Sequence, residues 1–142
     1  MSKMNNSDFI NIMKERGFVH QITDKKNLEK QMITSPIVGY IGFDCTAPSL
    51  HVGSLIQIMM LRWFQKTGNK PIVLMGGGTT KIGDPSGKDS ARPLLSSEKI
   101  KFNKDNIRTI FEKFLKFGAH NSDAIIVDNE DWLEDLNYIT FL

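Results

Sequence analysis

Residues 40–55 read YIGFDCTAPSLHVGSL, and this stretch decides the fold of the 142-residue chain. Residues 37–43 are mostly apolar and include several β-branched side chains, which predicts a short buried strand. Residues 52–66 are apolar on most faces and predict a helix that Gly68 ends. A polar turn joins the two elements. Strand, polar turn and helix in this order are typical of the ligand-binding edge of an α/β sheet.

The alternation of strands and helices continues along the chain. Residues 71–75 and 124–127 are short apolar runs that predict two further buried strands, and residues 97–117 predict a helix between them that Gly118 ends. Short buried strands separated by helices predict a parallel sheet with right-handed crossover helices. We therefore expect an α/β fold whose ligand site lies beyond the carboxyl ends of the strands.

The first part of the chain lacks a strand pattern and predicts two short helices. Ser7 can cap a helix over residues 8–16, which Gly17 ends, and a second helix is predicted over residues 25–32. We interpret residues 1–35 as a helical leader that packs on the body of the protein, and residues 36–142 as the body itself.

Composition and charge exclude several classes of protein. The chain is 40% hydrophobic and 24% charged, which excludes a disordered or coiled-coil protein. A formal net charge of +2 is too small to indicate nucleic-acid binding by bulk charge. One cysteine and three well-separated histidines predict no metal cluster. No apolar stretch approaches the roughly 18 residues of a membrane span and no signal peptide is recognisable, so we expect a cytoplasmic protein without a membrane partner.

The polar turn after the first strand has an order of residues that suits a phosphate group. Thr46 and His51 precede the predicted helix, and Gly53 and Ser54 fall in its first turn. A helix N-terminus offers unpaired backbone N–H groups and about half a positive charge, both of which favour an anion. The alternative interpretation is an ordinary capping turn with a solvent-exposed histidine, and the spacing alone does not separate the two.

Residues 76–88 read GGGTTKIGDPSGK and form a second polar segment after a predicted strand. The spacing of glycine and lysine fits neither a Walker loop nor a dinucleotide-binding fingerprint. Five glycines within residues 76–87 indicate that backbone comes close to a ligand or to another segment. Lys88 and Arg92, four residues apart, could place two cations near a polyphosphate. The alternative interpretation is a flexible surface loop.

Residues 40–54, followed by GDPSGK at residues 83–88, resemble the bacterial tyrosyl-tRNA synthetases, which are class I aminoacyl-tRNA synthetases. HVGS at residues 51–54 stands where that family carries its HIGH signature. Three positions depart from the family pattern. Ser54 replaces the second histidine of the signature, Ile41 stands where some members have cysteine, and Cys45 stands where many have proline.

The resemblance implies a Rossmann-like fold, of which this chain would be the N-terminal half, and an ATP-dependent ligase. Such an enzyme joins the carboxylate of L-tyrosine to the α-phosphate of ATP and then transfers tyrosine to tRNA(Tyr). Catalysis rests on in-line positioning and on stabilising the charge that builds up on the phosphates. ATP is a substrate that brings Mg²⁺ with it, so no protein-bound metal is predicted. Family members are homodimers, and we expect the same here.

The resemblance also implies a role for each matching residue. Four residues would contact the phosphates and carry the catalysis: Thr46, His51, Lys88 and Arg92. Four would border the adenosine and ribose of ATP: Gly42, Asp44, Gly53 and Ser54. Four would bind tyrosine, the first at the substrate hydroxyl and the others at or near the α-ammonium group: Tyr40, Thr79, Asp84 and Asn129.

The family's catalytic domain continues past the position of Leu142 with the second half of the nucleotide fold and a lysine-rich KMSKS loop. We therefore expect these 142 residues to be an incomplete N-terminal piece that is inactive alone. The alternative hypothesis is a non-catalytic nucleotide-fold fragment, which at most binds ATP or a complementary half. A further possibility is a tryptophanyl synthetase or a small nucleotidyltransferase, against which Tyr40 and residues 83–88 argue by resemblance.

Overall fold

The computed structural model describes residues 4–83, 94–137 and 139. The helices are α1 (Asp8–Glu15), α2 (Lys25–Thr34), α3 (Ser54–Lys66), α4 (Gly77–Lys81), α5 (Ser97–Phe111) and α6 (Glu130–Leu133). The strands are β1 (Val38–Asp44), β2 (Lys70–Gly76) and β3 (Ile125–Asp128), which pair in parallel in the order β1-β2-β3. The predicted α/β fold, with a parallel sheet and crossover helices, is confirmed.

The core lies on one face of this sheet, between the strands and the crossover helices α3 and α5. Right-handed crossovers between strands that follow one another across a sheet place successive helices on the same face. Phe43 and Phe111 meet in this core, with ring centroids 4.7 Å apart and ring planes at 66°. The other buried members are Cys45, Ile58, Leu61, Val73, Met75, Ile100, Ile107, Leu115 and Ala124. Burying a large apolar side chain stabilises a fold by roughly 1.5–3 kcal/mol, so this layer dominates the stability of the described residues.

The sequence predicts a buried strand over residues 37–43. The structure confirms a strand at this place, β1, but the prediction that it is buried is wrong. β1 alternates between exposed and covered side chains, and Tyr40 is 68% exposed. The reason is that β1 lies at the edge of the described sheet, and that α3 and α5 cover only the face that carries Phe43. Tyr40, Gly42 and Asp44 lie on the other face and therefore point away from the core.

Helices α1 and α2 pack against α3 through a second apolar cluster. Ile10, Met32 and Phe64 are buried together, and the rings of Phe9 and Phe64 meet edge to face with 5.0 Å between centroids. The residues before β1 are thus tied to the body through the helix that follows β1.

The ends of the first two helices differ in part from the prediction. Ser7 makes no side-chain capping bond, and the Asp8 carboxylate instead accepts the Asn5 N–H at 2.8 Å. The Asp24 side chain caps α2. Gly17 has a φ of +70°, the left-handed conformation expected of a glycine that ends a helix.

Helix α5 ends at Phe111 rather than at residue 117, so the predicted helix is too long. The chain then turns through a hydrogen bond from the Phe114 N–H to the Phe111 carbonyl at 2.9 Å. Arg62 on α3 donates to the Phe114 carbonyl at 2.7 Å and satisfies a group that the helix no longer pairs. Leu115 is still buried. The apolar pattern therefore continues beyond the helix, which explains the overlong prediction.

The sequence predicts that the glycine-rich segment after β2 is a loop. This prediction is wrong for its first residues, which form the short helix α4. Two glycines begin this helix, and glycine is a poor helix former. Acceptors from the end of β3 hold the glycine N–H groups, as described below. Such long-range capping leaves no mark in the local sequence pattern.

Candidate active site at the carboxyl ends of the strands

The turn after β1 borders a cavity of about 380 Å³, a volume in the range of small-molecule sites. The cavity lies beyond the carboxyl end of β1 and beside the start of α3, the position expected of a ligand site in a parallel sheet. Its lining is Gly42, Phe43, Asp44, Thr46, Ala47, Ser49, Leu50, His51, Ser54 and Gln57. These include five residues predicted to contact ATP: Gly42, Asp44, Thr46, His51 and Ser54.

His51 is held against the backbone ahead of α3. Its Nδ1 accepts a hydrogen bond from the Gly53 N–H at 3.0 Å. A neutral ring with an accepting Nδ1 carries its proton on Nε2, so the outer edge of this exposed side chain is a donor. A Cβ at Gly53 would lie 3.2 Å from Nδ1. Glycine at this position therefore gives room to the histidine ring.

Helix α3 begins at Ser54 with Gly53 as its N-cap, so the prediction that Gly53 falls in the first helical turn is wrong. The Ser54 N–H donates to the His51 carbonyl at 2.9 Å. The Ser54 N–H, which the sequence predicts to be available to an anion, is thus already used within the turn. The positive end of the helix dipole nevertheless lies at the cavity that Ser54 lines, and it favours an anion such as phosphate.

The carboxyl ends of β1 and β2 meet at Gly76, which pairs with Asp44 across the sheet. A Cβ at Gly76 would lie 2.8 Å from Thr79 Oγ1 and 3.5 Å from Asp44 Oδ1, so both polar atoms surround one backbone position. The Thr79 hydroxyl also donates to the Gly76 carbonyl at 3.2 Å. Glycine at this position brings Asp44, with its predicted role at ATP, close to Thr79, with its predicted role at tyrosine.

Two residues at the end of β3 hold the turn that carries Thr79. The Gly77 N–H donates to Asp128 Oδ1 at 3.0 Å, and the Gly78 N–H donates to Asn129 Oδ1 at 2.8 Å. The Asn129 amide group also donates to Thr79 Oγ1 at 3.2 Å. Thr79 and Asn129, which share a predicted role, are therefore in direct contact.

An ionic network that the sequence pattern does not indicate lies behind this turn. Lys104 Nζ on α5 is 2.7 Å from Asp128 Oδ2 and 2.6 Å from Glu130 Oε2. Glu130 Oε1 is 2.5 Å from Lys81 Nζ on α4. Burial alone would lower the pKa of Lys104, but the two carboxylates more than offset burial, and the net pKa is raised. Hydrogen bonds from Lys104 and Lys81 lower the pKa of Glu130.

The members of this network differ in how far the sequence could have revealed them. Asp128 directly follows a predicted strand, and a polar residue at that position is a usable signal for a site residue. Nothing in the spacing of the chain connects Lys104 to it, because the two residues meet only through the tertiary fold.

The peptide of Cys45, which joins β1 to the turn, is fixed from two sides. Its N–H donates to Thr80 Oγ1 at 3.1 Å, and its carbonyl accepts from Asn103 Nδ2 at 2.8 Å. All three residues are buried. Burial raises the pKa of the Cys45 thiol to about 12, so the thiol is protonated and unreactive at neutral pH. Cys45 therefore contributes through its backbone, which leads directly into Thr46.

Tyr40 lies on the same face of β1 as Gly42 and Asp44. The four-residue step from Tyr40 to Asp44 spans about 13 Å of strand. Tyr40 borders a different, apolar cavity of about 170 Å³ beside α3. The structure thus places Tyr40 on the sheet face that leads to the turn and does not bring it into the cavity with His51.

Three predicted site residues, Asp84, Lys88 and Arg92, lie outside the described residues. Among the residues that the structure does describe, no group of three or more His, Cys, Asp or Glu side chains could hold a metal ion. Over the same part of the chain, no helix combines the length and the apolarity needed to cross a membrane.

The model of the family described as tRNA synthetases class I (W and Y) matches residues 5–142. The tyrosine–tRNA ligase of Beijerinckia indica is 59% identical over 136 residues, a match that covers 96% of this chain and 32% of that protein. The tyrosine–tRNA ligase of Rhodospirillum rubrum is 57% identical over 136 residues, with the same coverage of 96% and 32%. The chain therefore spans about a third of the length of these curated relatives.

Two solved structures share the fold. A C-terminally truncated mitochondrial tyrosyl-tRNA synthetase from Aspergillus nidulans matches with a TM-score of 0.77 and 26% identity, over 93% of this chain and 40% of that chain. The truncated mitochondrial enzyme from Coccidioides posadasii matches with a TM-score of 0.71 and 28% identity, over 93% and 38% of the two chains. The family model matches residues 5–142 of the present chain, and the parallel sheet agrees with that match. The chain therefore belongs to the class I tRNA synthetases of the tryptophan and tyrosine group.

Proposed function

We propose that the protein is a tyrosine–tRNA ligase, which activates L-tyrosine with ATP to tyrosyl-adenylate and transfers tyrosine to tRNA(Tyr). The observation that carries the proposal is the convergence at Gly76, where Asp44 and Thr79 surround one backbone position. A reaction between ATP and an amino acid needs two subsites that share a border. The high identity to tyrosine–tRNA ligases supports tyrosine as the amino acid.

The activation step depends on positioning, because a carboxylate is already a nucleophile and needs no general base. The carboxylate oxygen of tyrosine attacks the α-phosphorus, the bond to pyrophosphate breaks, and negative charge builds up on the leaving group. In our proposal Thr46 and His51 contact these phosphates, and the His51 Nε2–H is the donor that the Gly53 contact turns outward. Lys88 and Arg92 add two cations. Mg²⁺ arrives as part of the ATP substrate.

The adenosine and ribose of ATP, in the same proposal, lie against the turn and the start of α3. Their contacts are Gly42, Asp44, Gly53 and Ser54. All but Gly53 line the cavity of about 380 Å³. Gly53 supports the site indirectly, because its N–H fixes the His51 ring.

Tyrosine, we propose, lies along β1 between Tyr40, at its hydroxyl, and the polar groups at the strand ends. A Cβ at Gly42 would meet no atom within 4 Å, so the strand between Tyr40 and Asp44 leaves room for an aromatic ring. Thr79, Asp84 and Asn129 hold or support the α-ammonium group. Where binding of the substrate buries the partner of its hydroxyl, phenylalanine is rejected because that partner would be left unpaired, and tyrosyl-tRNA synthetases are the standard example of this selectivity.

We further propose that these 142 residues do not complete the reaction by themselves, since the chain spans about a third of its relatives. The alternative is a non-catalytic fragment that at most binds ATP or a complementary half. On the family resemblance, we also propose a cytoplasmic homodimer, with residues 1–35 as the helical leader and residues 36–142 as part of the catalytic domain.

Tyrosine-dependent ATP–pyrophosphate exchange tests these proposals. We expect exchange from the protein extended to the length of its relatives, and none above background from residues 1–142 alone. Exchange by the short chain would contradict the proposed incompleteness. Calorimetric titration of the long protein with tyrosine, tryptophan and phenylalanine checks the amino acid, and binding of tryptophan in preference to tyrosine would overturn the choice of tyrosine.

A further inference from the structure

We propose that two neighbouring residues of α5, Asn103 and Lys104, are positioning residues that fix the two halves of the site separately. Asn103 holds the turn after β1, on the proposed ATP side. Lys104 holds the turn after β2, on the proposed tyrosine side. The assignment of the two sides to ATP and tyrosine rests on the proposed function, whereas the division of labour between the two residues rests on the contacts alone.

The case for Asn103 begins with its hydrogen bond to the Cys45 carbonyl at 2.8 Å. That carbonyl belongs to the peptide that leads into Thr46, so the amide fixes the backbone at the start of the turn. The side chain is fully buried, and within the described residues its Oδ1 has no hydrogen-bond partner. A buried acceptor without a partner destabilises a fold, so stability alone does not account for asparagine here. Its donor group is the part that the structure uses.

The case for Lys104 rests on the carboxylate of Asp128, which has two different partners. One oxygen is 2.7 Å from Lys104 Nζ, and the other accepts the N–H groups of Gly77 and Glu130, each at 3.0 Å. The Lys104 and Asp128 side chains are 23% and 17% exposed, so their contact is largely shielded from solvent. By pairing with one oxygen, the ammonium group orients the other toward the start of α4.

Helix geometry explains how two adjacent residues serve different strands. Consecutive positions on an α-helix differ in direction by about 100°, because a turn contains 3.6 residues. Asn103 therefore reaches the end of β1 while Lys104 reaches the end of β3. Asp128, which Lys104 contacts, also accepts a hydrogen bond from the N–H of Gly77, just beyond the end of β2. One turn of α5 thus anchors the ends of all three strands.

Amide hydrogen exchange on the 142-residue chain tests this division without reference to activity. Lys104→Met keeps the length of the side chain and removes its charge. We expect exchange of the Gly77 and Gly78 amides to accelerate about ten-fold or more. Exchange of the Cys45 amide, whose acceptor is Thr80 farther along α4, should accelerate clearly less. The matched control is Lys101→Met, an exposed lysine on the same helix that pairs with Asp105, and it should leave all three amides unchanged.

The complementary variant, Asn103→Leu, should accelerate exchange of the Cys45 amide and leave Gly77 and Gly78 unchanged. Asn106→Leu is its control, because the Asn106 amide group bonds only to the Phe102 carbonyl within α5 in the contacts described. Should Asn103→Leu not fold, Asn103→Ser is smaller, remains polar and carries the same expectation. Equal acceleration of all three amides in both variants would overturn the proposal, since it would indicate a general loosening of the core.

Kinetics of the protein at the length of its relatives provide the functional readout. Lys104→Met should raise the tyrosine KM about ten-fold and leave the ATP KM unchanged. Asn103→Leu should raise the ATP KM and leave the tyrosine KM unchanged. Lys104→Arg keeps the positive charge and should retain most of the tyrosine affinity. Both KM values rising together in each variant would overturn the separate roles. If the wild-type protein shows no ATP–pyrophosphate exchange, the proposed function fails. The amide hydrogen exchange experiment still tests the positioning roles in that case.

Discussion

Four polar side chains around the site bind backbone groups and so hold the turns in place. Thr80, Asn103, Asp128 and Asn129 each pair with a backbone N–H or carbonyl near a strand end. His51 has the opposite arrangement, because a backbone N–H holds the ring and leaves its outer edge toward solvent. A side chain fixed in this way loses little rotational freedom when a ligand binds, which suits a residue that acts on a transition state.

Under the proposed function, replacing His51 with alanine in a protein extended to the length of its relatives should slow activation of tyrosine on the order of 100-fold, as expected for a lost transition-state donor. Tyrosine affinity should stay nearly unchanged. Pre-steady-state measurement of adenylate formation, with equilibrium binding of tyrosine, checks both quantities. His120→Ala is the matched control, because His120 is exposed and lies in a different loop. Loss of tyrosine binding with a normal activation rate would contradict the role of His51.

The thiol of Cys45 makes a second residue-scale prediction. Burial raises its pKa from 9.0 to about 12, so at pH 8 the fraction of thiolate in the folded chain is about 1,000-fold lower than in the unfolded chain. We expect alkylation by iodoacetamide to be slower by orders of magnitude in buffer than in denaturant, because the folded thiol is both buried and protonated. The chain has one cysteine, so the mass increase reports this site alone. Rapid alkylation of the native chain would show that β1 opens at its carboxyl end.

The elements at the strand ends owe their form to contacts from distant parts of the chain. Helix α4 opens with two glycines, and its N–H groups are held by Asp128 and Asn129 from the end of β3. Glu130, at the start of α6, then joins Lys81 on α4 to Lys104 on α5. The Glu130 carboxylate on α6 therefore contacts both of the other helices.

Replacing Glu130 with glutamine should destabilise the chain by about 1–3 kcal/mol at pH 7, because a charged and partly buried acceptor is lost. Lys104 and Lys81 lower the pKa of Glu130 in the folded state, so its stabilising effect is present above its ordinary pKa of 4.5 and is lost as pH falls through the lowered value. We expect urea unfolding curves of wild type and variant to converge on acidification.

Glu134→Gln is the control for this experiment, since Glu134 also pairs with Lys81 but its side chain is 69% exposed. An exposed pair of this kind contributes about 0–1 kcal/mol, so the control should differ little from wild type at any pH. A stability difference for Glu130→Gln that does not shrink as the pH is lowered would contradict an ionic origin.

The hydrophobic pattern of the sequence predicted those helices and strands that depend on neighbouring residues in the chain. The strands and α3 follow from apolar runs bounded by glycine or polar turns, and the structure confirms them within a few residues. Three features were out of reach for a physical reason. The exposure of β1 depends on which sheet face the crossovers cover, α4 depends on acceptors from β3, and the end of α5 is hidden by an apolar pattern that continues to Leu115.

The same distinction applies to the site. The turn at His51 could be predicted from its order of residues, because a strand, a polar turn and a helix follow one another directly. The contact between Thr79 and Asn129 has no local signal, since the two residues are brought together by the pairing of β2 with β3. Lys104 was missed for the same reason.

At the scale of the whole molecule, the described residues bury only one face of the sheet. The other face carries Val38, 61% exposed, and Tyr40 at the edge strand, with partly covered Ile72 and Leu74 behind them. No strand among the described residues pairs with the outer edge of β1. An apolar face next to an open edge favours association between chains.

We therefore expect the 142-residue chain to associate in a concentration-dependent manner, measured by sedimentation velocity. Val38→Lys should shift association to higher concentration, because a charge on an edge strand opposes strand pairing. Ile33→Lys is the matched control: Ile33 is 74% exposed, but it lies on α2. An equal effect of both variants would indicate that net charge, and not the edge, governs association.

The strands lie across the sheet in the same order in which they occur along the chain. During translation, β1 is therefore synthesised before β2 needs it as a pairing partner, and β2 before β3. A ribosome adds roughly 5–20 residues per second, so successive strands emerge within seconds of one another. The nascent sheet can grow one strand at a time from β1 to β3.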